Sequence, residues 1–352
     1  MTDQSFSRTA TMTGVERVMR CLHFEKTDRV AVVPELIQHN LEVSGKKHGA
    51  FSTDPNVMFE TIIAGLKAYE TDAVYVSSDN YMIVEAMGGR VKIVEDAPPE
   101  LHSRALRSLE DAADLEPLDV EKGRIPVILK ATELCRQELG DEIFVKTCLD
   151  SAPFSVAACL LGPEEWFISL MEEPEKSCKL LEIACESVIR YGVAAAKAGA
   201  HGLAFGDSPA GLVSAGMYEE FALPYAKYVI EELHRRTGLP VFYHVCGNTR
   251  HILPLMAETG ADCIEIDSMV PMELAKETAY GKCAIEGNVS TIAAFLNGTP
   301  NDVIQEANHI LDLFGNDGGL ILSSACEIPR MSPKENVRAL TDAARNYPYR
   351  DR

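Results

Sequence analysis

From Gly202 to Tyr347 the chain repeats one pattern five times: a short apolar run, a longer amphipathic run, then turn residues. The short runs are "GLAFGD", "PVFYHVCG", "DCIEID", "CAIEGNV" and "LILSSAC". Strands separated by helices cannot pair as tight hairpins, so they must lie parallel in a sheet covered by helices. Earlier in the chain, "DRVAVVPE", "DAVYVSS" and "IFVKTCLD" bring the strand count to about eight. That number predicts a closed α/β barrel, the (β/α)8 TIM barrel, and 352 residues suit one such domain. An open doubly wound sheet would carry a glycine-rich phosphate turn after its first strand, and "VVPELIQHN" has none.

Residues 1–28 read as an N-terminal extension with one amphipathic helix, "VERVMRCLHFE", whose start has Thr13 and Glu16 at capping-box spacing. Residues 29–352 read as the barrel domain. Helices are expected over 55–69, in "VILKATELCRQELG", in "PEEWFISLMEE", and from Pro174 to Gly199. The stretch 217–238 should form one further helix, and "HILPLMAETG" another. "AMGGRVKIVEDAPPE" reads as a hairpin insertion or lid.

Composition excludes several classes. A formal net charge of -20 repels phosphate backbones, so no nucleic-acid partner is expected. No apolar run is long enough to span a bilayer, and "MTDQSFSRTATMTG" lacks an apolar leader core. The expectation is a soluble, cytoplasmic protein with no membrane partner. Its ten cysteines include no CxxC pair and read as reduced thiols, mostly core filler.

In a barrel of this kind, chemistry gathers at the carboxyl ends of the strands. Those ends carry Asp79, Asp150, Asp207, His244 with Cys246, Glu265 with Asp267, Asn288 and Cys326. An isolated aspartate there is as readily a helix cap as a functional group. His244 and Cys246 are two apart, so they share one face of a strand and can share one ion. Alone the pair is weak, because about 0.26 such pairs arise by chance from nine histidines and ten cysteines in 352 residues. Cys326 ends the last strand and so belongs at the same rim. One imidazole and two thiolates with an open fourth position are the donor set of a catalytic zinc, and soft sulfur disfavours magnesium or calcium. Cys263 and Cys283 begin their strands and read as core at the opposite rim.

Two thiolates cancel the formal charge of zinc, which makes the metal a poor activator of water. Such a site favours a thiol that loses its proton yet stays nucleophilic, and the expected reaction is alkyl transfer to sulfur. The segments "GDSPAGLVSAGMYEEFALPY", "HVCGNTRHILPLMAETGAD", "EGNVST" and "GGLILSSACEIPRMSPKENVRAL" resemble the uroporphyrinogen decarboxylase superfamily. More narrowly, they resemble its cobamide-dependent branch, typified by methylcobamide:coenzyme M methyltransferases. The resemblance implies a His-X-Cys…Cys zinc motif at His244, Cys246 and Cys326. It also implies a zinc-bound thiol acceptor such as coenzyme M, and a methylated corrinoid supplied by a separate corrinoid-binding protein. Asp207 and Asp267 are the expected catalytic residues, with Glu265 the alternative to Asp267. The rival reading is porphyrinogen decarboxylation without a cofactor. It calls for arginines after the first strand, where "PELIQHNLEVSGKK" has none.

Overall fold

The computed structural model describes residues 11–349; the first ten residues of the expected extension and the last three lie outside the described residues. Eight parallel strands form the centre. They are β1 (Ala31–Val32), β2 (Ala73–Val76), β3 (Phe144–Ser151), β4 (Gly202–Gly206), β5 (Val241–Val245), β6 (Cys263–Ile266), β7 (Ala284–Val289) and β8 (Leu320–Ser324). Their order around the sheet is 1-8-7-6-5-4-3-2. Between β1 and β2 a ladder gives way to one residue: the Asp72 N–H donates to Val32 O at 3.0 Å, and the Val32 N–H donates to Asp72 Oδ2 at 2.8 Å. The same carboxylate accepts from Arg17 and from both terminal nitrogens of Arg29. The result is the expected (β/α)8 barrel.

The pleat sorts side chains by period two, so alternate residues of each strand enter the barrel. The lowest interior layer includes Ala31, Ala73, Phe144, Ala204, Phe242, Cys263, Ala284 and Ile321. Helix Gly14–Leu22 plugs the barrel beneath this layer with Val18, Cys21 and Leu22. Its Thr13/Glu16 capping box is formed, with bonds of 2.8 and 3.1 Å. Gly14 must be glycine, because a Cβ there would stand 2.2 Å from Asp72 O. A second, larger core fills the space between barrel and outer helices.

Several elements depart from expectation. The stretch 217–238 is two helices, Ala215–Phe221 and Leu223–Thr237, because Pro224 has no N–H to continue the ladder. After β5 the helix shrinks to Leu253–Met256, with Pro254 in its first turn. Three helices rather than two follow β3: Pro153–Leu161, Pro163–Glu172 and Pro174–Lys197. Each opens on a proline, whose fixed φ suits the first helical position. The insertion is a two-stranded antiparallel hairpin, Arg90–Lys92 with Glu100–Ser103. No single helix among the described residues is long and apolar enough to cross a membrane.

Candidate metal centre

Phe242, His244 and Cys246 rise through the barrel on the inner side of β5 and its end. Phe242 belongs to the apolar floor, His244 stands one level up, and Cys246 lies just beyond the strand. Gly247 then turns the chain at φ 85, and its N–H donates to Asp267 Oδ2 at 2.9 Å. Asp267 also accepts from the Met269 N–H at 2.9 Å, so it pins the backbone next to Cys246 to the loop after β6. Asn288 holds that loop from β7 through Asp267 O and Val270 O.

Cys326 arrives from across the mouth. The chain after β8 is stitched to the chain after β1: the Glu35 N–H donates to Ser324 Oγ (3.1 Å), the Ile328 N–H to Glu35 O (3.1 Å), and the Gln38 N–H to Glu327 Oε1 (2.7 Å). This seam sets Cys326 with its sulfur 3.6 Å from that of Cys246, although 80 residues separate them in sequence. His244 Nε2 lies 2.8 Å from Cys246 Sγ. All three donor atoms fall within 4.8 Å of one another, the only such group of three among the described residues.

The donor set fits zinc. A tetrahedral site with zinc–sulfur bonds of about 2.3 Å has sulfur–sulfur edges of about 3.8 Å, close to the spacing here. A hydrogen bond with Cys326, aided by the His244 charge, brings the Cys246 thiol down to about 4 despite burial. Burial opposes charge on His244, but Cys246 and Glu265 outweigh it and raise the imidazole to about 10. The Cys326 thiol is pushed up by its bond to Cys246 and by burial.

Beneath the donors lies a charged layer. His244 is in register with Glu265 on β6, and Glu265 with Glu286 on β7. Lys146 reaches across from β3, its Nζ 2.5 Å from Glu265 Oε1 and 3.0 and 2.9 Å from the two oxygens of Glu286. Burial alone would lower the Lys146 pKa, yet the two carboxylates hold it above the ordinary lysine value. Burial raises Glu286 to about 7 against the pull of Lys146. At the mouth, burial lifts Glu35 to about 8 against the nearby His244 charge, and Glu327 to about 7.

The remaining strand-end residues sit in hydrogen-bond and ion-pair networks of their own. Asp207 is fully buried and accepts from Ser155 N, Ser155 Oγ and Tyr243 OH, fastening the start of helix Pro153–Leu161 to β4 and β5. Burial pushes its carboxyl up to about 6. Asp79 pairs with Arg124, and Asp150 accepts the Ile83 N–H at the start of helix Met82–Ala86. Cys263 and Cys283 are buried away from the cluster. Sequence reasoning passed over Lys146, Glu286, Glu35 and Glu327. For the first two the signal was present: a charge at an inward position of an otherwise apolar strand.

Fold and cluster together define a class, a parallel (β/α)8 barrel with a histidine and two cysteines gathered at the carboxyl rim of its strands. Within that class the chain belongs to the uroporphyrinogen decarboxylase (URO-D) family, whose profile matches residues 13–347. A methylcobamide:CoM methyltransferase, MtbA of Methanosarcina acetivorans, is 28% identical over 96% of this chain and 99% of its own length. A uroporphyrinogen decarboxylase of Carboxydothermus hydrogenoformans is 28% identical over 82% of each chain. A solved methyltransferase from Methanosarcina mazei superposes with a TM-score of 0.87 at 25% identity, covering 96% of this chain and 99% of that one.

Proposed function

We propose that this protein moves a methyl group between a methylated corrinoid carried by a partner protein and a small thiol such as coenzyme M. The observation that carries this reading is the convergence of His244, Cys246 and Cys326 on one point at the barrel mouth. The similarity to methylcobamide:CoM methyltransferases along nearly the whole chain supports it. Zinc held by these three residues would acidify an incoming thiol while their two sulfurs keep it electron-rich. The thiolate sulfur attacks the methyl carbon in line; the S–C bond forms, the Co–C bond breaks with its electron pair left on cobalt, and the thiol proton goes to solvent.

The chain's own residues build the stage. The seam between β1 and β8 holds Cys326, and Asp267 fixes the turn after Cys246. Asp207 anchors β4 and β5 to the neighbouring helix. We assign both aspartates a positioning role. Exposed Leu212, Met269, Ile292 and Met331 lie on the segments that follow β4, β6, β7 and β8, on the rim a corrinoid-bearing partner must approach. The decarboxylase reading has support in the relative at 28% identity. It needs cations for a polycarboxylate, yet the segment after β1 presents Glu35 and Gln38, and buried Lys146 and Arg124 are already ion-paired.

The test is to incubate zinc-loaded protein with methylcobalamin and a panel of thiols, with and without a cognate corrinoid protein. Thiol-dependent loss of the Co–CH3 absorbance is expected. Its absence with every thiol, together with coproporphyrinogen formation from uroporphyrinogen, would hand the function to decarboxylation.

A further inference from the structure

We propose that Glu265 is the positioning residue that orients His244 for metal binding, and that Lys146, braced by Glu286, fixes the Glu265 side chain in that place. This rests on the metal-centred reading above.

The two nitrogens of the His244 ring face different neighbours. Nε2 looks toward the sulfurs, 2.8 Å from Cys246. Nδ1 is buried and has no hydrogen-bond partner, and the acceptor it faces is Glu265 Oε2 at 3.6 Å. A ligating imidazole must be neutral, with its one proton on the nitrogen that does not bind the metal. A carboxylate opposite Nδ1 selects that tautomer and stops the ring from turning over.

Glu265 cannot do this unaided. It shares a buried layer with Glu286, and two acidic side chains so placed need a cation between them. The Lys146 ammonium sits between them with its side chain 1% exposed. It also lies over the Phe242 ring at 4.3 Å and the Tyr75 ring at 5.3 Å. Stability gives no reason for such a triad, since apolar residues of similar volume commonly do as well. The layer directly below is apolar. The charges occupy the one level from which a carboxylate reaches the back of the histidine.

The experiment titrates metal-free protein with Zn2+ against a chromophoric chelator and records the visible spectrum of the Co2+-loaded form. Glu265→Gln keeps the shape of the side chain and removes its charge. We expect zinc affinity to fall about tenfold or more, the range for loss of an orienting partner, with altered Co2+ bands. Glu286→Gln leaves Lys146 paired with Glu265, so affinity should move less than threefold. Unchanged affinity and spectrum in Glu265→Gln overturn the proposal, as does an equal effect of the two variants. Should Glu265→Gln not fold, 15N NMR of histidine-labelled wild type decides: zinc-loaded His244 protonated at Nδ1 supports the assignment, and protonation at Nε2 ends it. No arm reads turnover. Zinc binding indifferent to Glu265 therefore sinks this inference alone, whereas wild type without zinc affinity sinks the metal-centred function too.

Discussion

Cys326 shows how much one side chain can decide. It makes the third corner of the donor group, and its replacement leaves one histidine and one cysteine, too few to hold zinc tightly. Cys326→Ser should retain below about a tenth of the wild-type zinc after gel filtration, read by atomic emission. Equal stoichiometry would remove this residue from the ligand set. Asp207 works differently. Its carboxylate accepts three hydrogen bonds in a fully buried setting, so Asp207→Ala would strand Ser155 and Tyr243 without a partner. We expect a loss of about 3 kcal/mol in urea unfolding, with zinc stoichiometry unchanged at saturating metal. At this scale the sequence was partly legible. His244 and Cys246 were visible as a pair because the pleat places residues two apart on one face. The hydrogen bonds of Asp207 were not, because Ser155 and Tyr243 lie far from it along the chain.

Single elements carry specific jobs as well. Helix Gly14–Leu22 closes the bottom of the barrel, and its first residue touches the Asp72 backbone that joins β1 to β2. Gly14→Ala forces that contact apart and should destabilise the fold by about 2 kcal/mol, seen as a lowered thermal midpoint. Near its C-terminus, helix Leu223–Thr237 is tied to the sheet by His234 Nε2 and Asp262 Oδ2 at 2.7 Å, and the same oxygen accepts the Val241 N–H. The hydrogen bond to Asp262 raises the His234 pKa above 6.5. Because the folded value is the higher one, the charged pair's contribution is full below 6.5 and lost as pH rises through the folded pKa. In Asp262→Asn the His234 pKa, followed by NMR, should fall toward 6.5. The stability gap to wild type should narrow between pH 5.5 and 8.5, leaving only the part owed to Val241. Helices were the least legible elements. Pro224 cut 217–238 in two, because a missing N–H outweighs a good apolar period, and the helix after β5 came out as the single turn Leu253–Met256.

At the scale of the whole molecule, the barrel turns eight strand ends into one mouth and leaves apolar side chains standing on its rim. A protein of net charge -20 that exposes Leu212 and Met331 on the segments after β4 and β8 offers a partner contact by apolar burial more than by attraction to other acidic surfaces. Leu212→Asp combined with Met331→Asp should raise the KM for methylated corrinoid protein about tenfold or more. Turnover of free methylcobalamin should stay within twofold. Equal loss on both substrates would place the effect in the site rather than on the docking rim.

The residue pattern by itself determined that the chain alternates strand and helix, that the strands run parallel, and that His244 and Cys246 share a face. These are consequences of local backbone geometry, whose periods of 2 and 3.6 residues are written into neighbouring positions. The strand order also put Cys326 at the rim of His244 and Cys246; tertiary structure alone decided how close its sulfur comes to that of Cys246, that Glu265 stands behind His244, and that Lys146 crosses the barrel to meet Glu265 and Glu286. Those meetings depend on how the sheet closes, and closure is set by packing summed over all eight strands and their helices, which no short window of sequence contains.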